Sequence, residues 1–65
     1  MNLEYFLNKK VIIHLNDTTK LRGMIVEIID TEDDGMPYTK LYFRVSPTNY
    51  KVIYTYEIES IDEII

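Results

Sequence analysis

Between Lys10 and Leu15 the chain reads Lys-Val-Ile-Ile-His-Leu. Successive side chains of an extended backbone point to opposite faces, so Val11, Ile13 and Leu15 share one side while Ile12 and His14 share the other. The alternation and the β-branched content predict a first strand. Asn16-Asp17-Thr18-Thr19 then supplies turn formers, because Asn and Asp tolerate left-handed backbone angles and bond their own backbone. A second strand is expected from Lys20 to Ile29, apolar on both faces toward its end, with Gly23 near its start. A glycine inside a strand marks a bulge or sharp bend, which a long strand needs if it serves both sides of a small barrel.

Tyr38 to Val45 alternates cleanly, with Leu41, Phe43 and Val45 on one face and Lys40, Tyr42 and Arg44 on the other. That is a third strand with one buried face. Ser46-Pro47-Thr48-Asn49 places a proline at the second position of a turn. A fourth strand, Tyr50 to Tyr56, follows with Val52, Tyr54 and Tyr56 on one side. Ahead of the strands, Leu3, Phe6 and Leu7 recur at helical spacing behind Asn2, which predicts a short helical lead-in. Glu57-Ile58-Glu59 reads as one helical turn before a closing strand from Ser60 to Ile65. Five short strands with tight turns and no βαβ spacing predict an all-β fold: a small five-stranded antiparallel barrel of the Sm-like or Src-homology type, with a short N-terminal helical lead-in.

The pattern resembles the Sm and Sm-like family in Val11-Ile-Ile-His-Leu15-Asn-Asp17, followed by Leu21-Arg-Gly23-Met-Ile25, and in the ending Ile58-Glu-Ser-Ile61. It is similar to the PRC-type barrel to a comparable degree, through Asn8-Lys-Lys-Val-Ile12 and Gly23. Both resemblances imply a small barrel. The Sm-like one also implies a ring that binds RNA, but the two places where that family contacts RNA hold Asp30-Thr-Glu-Asp-Asp-Gly35 and Tyr54-Thr-Tyr56 here.

The whole chain, 1–65, makes one domain, and a domain this short buries only about 60% of the surface its unfolded chain exposes. No cysteine is present to staple it, so stability rests on packing. No run reaches the roughly 18 apolar residues of a membrane span, and the start lacks the order of a signal peptide, so a soluble cytoplasmic protein without membrane contact is expected. Seven basic against eleven acidic residues give a net charge of −4, which disfavours long-range attraction to nucleic acid.

Catalysis lacks its parts: there is no Cys, one His, and Ser46 and Ser60 stand outside any nucleophile motif. No enzyme activity and no cofactor are expected. Asp30, Glu32 and Asp34 followed by Gly35 match the start of a helix-flanked calcium loop, but the twelfth place is Leu41 and the flanks are strands. A solvated hairpin in which Asp34-Gly35 turns is the expected form. The single histidine, His14, cannot make a two-histidine metal site within one chain, so no metal site is expected.

Two surfaces stand out. Ile12, Met24, Val26, Tyr42 and Ile53 compete with the inward set for burial, and exposed apolar strand faces and open edges mean association. The expected function is therefore a noncatalytic interaction module that self-associates or binds another protein. Tyr38, Lys40, Tyr42 and Arg44 interleave aromatics with bases, as single-stranded nucleic-acid binding requires. An Sm-like ring that binds RNA or single-stranded nucleic acid is the alternative expectation. The four acidic residues between Asp30 and Asp34 raise a third, an acidic mimic of nucleic acid.

Overall fold

The computed structural model describes residues 2–65. A single turn of 3-10 helix, Leu3–Phe6, leads into β1 (Lys10–Leu15), β2 (Lys20–Asp33), β3 (Met36–Ser46) and β4 (Asn49–Tyr54). A second 3-10 turn, Thr55–Glu57, precedes β5 (Ile58–Glu63). All five strands pair antiparallel in one sheet of order β4-β3-β2-β1-β5.

The alternation that predicts the strands also selects the core. Val11, Ile13, Ile25, Leu41 and Phe43 are fully buried, Ile53 and Ile58 nearly so, and Leu3, Phe6, Leu21 and Ile61 close over them. Each such side chain contributes about 1.5–3 kcal/mol by leaving water, so these few residues dominate the stability of so short a chain.

The second strand is longer than its sequence pattern, and its apolar residues on both faces have a physical explanation. The register with β3 slips between Ile25 and Glu27, leaving Val26 as the extra residue of a bulge. Ile25 pairs with Phe43 and Ile28 with Leu41, so both face the core although they stand three residues apart. Gly23 was expected to mark a bulge or sharp bend; the bulge of β2 sits at Val26. Gly23 has a different duty. A Cβ there would collide with the carbonyl oxygen of Arg44 and stand 2.9 Å from the ring edge of Phe43. Only glycine lets β2 and β3 approach so closely there.

The acidic segment is mostly strand. β2 continues to Asp33 and β3 starts at Met36, so Asp34 and Gly35 alone make the turn, both with positive φ (49° and 79°). That is the backbone of a two-residue primed hairpin, for which Asp-Gly is a favoured pair. The first hairpin turns differently: the Leu15 N–H donates to the Thr19 carbonyl at 2.8 Å, the Leu15 carbonyl accepts the Thr18 N–H at 3.1 Å, and Asp17 Oδ1 accepts the Thr19 N–H at 2.9 Å.

The expected closed barrel is not formed. From Tyr54 the chain enters the second 3-10 turn, where Glu57 accepts the Tyr54 N–H at 3.3 Å. Asn16 fastens this turn to the first hairpin, donating from its side chain to the Tyr56 carbonyl at 2.8 Å and from its backbone to the Glu57 carbonyl at 2.9 Å. The chain is thereby carried across to β1, against which β5 pairs. Among the described residues no pairing joins β4 to β5, and each remains an edge.

Candidate interaction surface

The sheet has a core face and an outer face, and cross-strand neighbours decide what the outer face can do. Ile12 lies between Arg22 and Asp62, Met24 between Lys10 and Arg44, and Tyr42 between Glu27 and Val52. With the bulged Val26, all are half-buried. Charged neighbours thus interrupt the apolar set over most of the face. Ile53 does not belong to it. Paired with Leu41 and only 3% exposed, it is part of the core, a correction to its place among the expected surface residues.

The open apolar surface lies instead on β4. Tyr50 is 57% exposed and Val52 49%, on a strand whose second side has no partner. Sequence reading missed this pair because it counts Ile53 among the outward residues, which leaves Val52 and Tyr54 on the inward side. The burial of Ile53 against Leu41 fixes the opposite orientation.

Tyr38, Lys40, Tyr42 and Arg44 do share the outer face of β3, as their alternation predicts. They do not share one electrostatic environment. Tyr38 lies in a shallow depression with Asp33, Asp34, Tyr54 and Tyr56, where Tyr54 stacks on Tyr56 at 5.4 Å between ring centroids and tilts against Tyr38 at 5.8 Å. Lys40 stands 6.0 Å from the Tyr42 ring centroid. At the other end Arg44 lines a groove with Lys10 and Arg22. A phosphate backbone laid along β3 meets carboxylates at one end and cations at the other.

The remaining expected features are dispersed. Asp30 accepts a 2.6 Å hydrogen bond from the Thr39 hydroxyl across the hairpin. Among the described residues no three His, Asp or Glu side chains come together as a metal site requires. His14 Nε2 meets Asp62 at 2.9 Å. Lys9 sits over the Tyr5 ring at 3.4 Å and 4.0 Å from Glu63, while Lys20, opposite His14, lies at the far end of β1 from Lys10. No helix among the described residues is long and apolar enough to cross a membrane. Comparison of the chain with known protein families, curated proteins and solved structures found no match.

Proposed function

We propose that the protein is a noncatalytic interaction module that self-associates through the outer edge of β4. The observation that carries this reading is an open edge strand bearing exposed Tyr50 and Val52 with no charge on its outer face. An edge of this kind presents unpaired backbone N–H and C=O groups ready to template another strand, and natural proteins that avoid association place charges there. Two copies of β4 related by a two-fold axis at Val52 set Val52 against its counterpart and Tyr50 against Tyr54 of the second copy. Residues directly opposite in an antiparallel pair lie on the same face, so this register keeps apolar side chains together and Ile53 on the core side. A six-residue edge makes a small contact, so the association is concentration-dependent and reversible. A two-fold pair of this kind closes at a dimer, whereas the ring that the Sm-like resemblance implies needs a head-to-tail contact between different surfaces.

Sedimentation equilibrium tests the reading. Mass should rise with protein concentration, and Val52→Lys should hold the chain as a monomer at all concentrations while the fold persists. A strictly monomeric parent chain rejects the proposal.

A further inference from the structure

A second surface lies apart from β4 and is independent of self-association through that edge. The start of β1, the first half of β2 and the end of β3 enclose a groove of about 600 Å³, within the size range of sites for small molecules. Lys10, Arg22 and Arg44 line it, and no carboxylate does. This is unusual in a chain whose acidic residues outnumber its basic ones eleven to seven. The register explains how the cations converge: Lys10 and Arg44 flank Met24 on the two neighbouring strands, and Arg22 stands two residues along β2 from Met24.

Two carboxylates of β5 have partners outside the groove. Asp62 is taken by His14, and Glu63 by the Tyr5 hydroxyl at 2.9 Å and by Lys9. Among the described residues none of the three groove cations forms an ion pair. Arg44, half-buried, donates only to the Met24 sulfur at 3.7 Å, a weak acceptor. Burying guanidinium surface without an anionic partner is costly, and a planar fork of donors matches phosphate oxygens well. The rest of the wall is Met24, Val45, Pro47 and Ile64, with the Ser46 residue among them. We propose that this groove binds a phosphate or pyrophosphate group of a small molecule, its oxygens held by Lys10, Arg22 and Arg44. The apolar wall would receive the organic part of an ester.

The experiment is an amide NMR titration of the full chain with ADP, with inorganic pyrophosphate, with adenosine and with a short oligothymidylate. ADP and pyrophosphate should shift the amides around Lys10, Arg22, Arg44 and Ser46, and adenosine should not. Tighter binding of ADP than of pyrophosphate assigns an organic phosphate, and equal binding assigns the free anion. Arg44→Gln and Arg22→Gln should each weaken binding about tenfold or more, the effect of losing a charge-assisted hydrogen bond. Lys51→Gln, which removes a cation of β4 outside the groove, should leave it unchanged. Amide dispersion checks that each variant is folded. Absence of shifts at millimolar ADP and pyrophosphate overturns the proposal. So does equal weakening by Lys51→Gln, which marks a general charge effect, or binding of the oligothymidylate alone.

Discussion

The two edges of the sheet, β4 and β5, are both six residues long, and each pairs on one side only. Their chemistry is opposite. β5 exposes Glu59, Asp62 and Glu63, and His14, Lys9 and Tyr5 hold two of these carboxylates in place. A strand approaching that edge must desolvate fixed negative charge, the usual guard of an edge. β4 exposes an aromatic ring and a valine, with Lys51 as its one charge. The contrast teaches that an open sheet need not be equally adhesive at both ends, and it directs association to β4.

The close approach of β2 and β3 joins the half of the sheet that ends in β4 to the half that ends in β5, so the largest effect is expected from breaking it. Gly23→Ala should cost about 3 kcal/mol, the upper range for overpacking, because the obstacle is backbone that cannot rotate away. Urea unfolding should show one cooperative transition at lower denaturant, with β4 and β5 lost together. Separate loss of one edge would mean that the two are held independently.

Next comes the anchor of β4. Ile53→Ala should destabilise by about 2 kcal/mol, the low end for emptying a buried isoleucine site, because an edge strand can settle into the space. A change below about 0.5 kcal/mol, typical of surface substitutions, would return Ile53 to the surface and undo the orientation on which the β4 reading depends.

The smallest effect concerns the turn that holds the approach to β5. Hydrogen bonds from the Thr19 side chain and then from its backbone N–H keep the Asp17 carboxyl below its ordinary value of 3.8. A carboxyl lowered in the folded state stabilises the fold above its unfolded value, and that contribution is lost as pH falls through the folded value. The stability of the parent chain relative to Asp17→Asn should therefore be constant above about pH 5 and decline below about pH 4. A flat difference across that window, measured by denaturation at each pH, would contradict the hydrogen-bonded turn.

Much of this arrangement was legible in the sequence, for identifiable reasons. Strand β3 shows a clean alternation because one face is buried and the other solvated, so Leu41 and Phe43 could be placed in the core directly. The Asp34-Gly35 turn was readable because few dipeptides suit two positive φ values. In β2 the bulge at Val26 breaks the two-residue period, so the inward pair Ile25 and Ile28 could not be separated from Ile29 by alternation. In β4 both faces are apolar, and the more numerous side, Val52 and Tyr54, competed with Ile53 as the core side. The cationic groove was not legible. Lys10, Arg22 and Arg44 stand on three different strands and meet only through the β1–β2 and β2–β3 registers, the second of which depends on the same bulge.

The most direct test of the unequal edges is sedimentation equilibrium of the parent chain beside Val52→Lys on β4 and Glu59→Lys on β5. If the edges are unequal, the parent self-associates reversibly, Val52→Lys is a monomer, and Glu59→Lys still associates. Association that survives Val52→Lys but is lost on changing β5 would contradict that inequality.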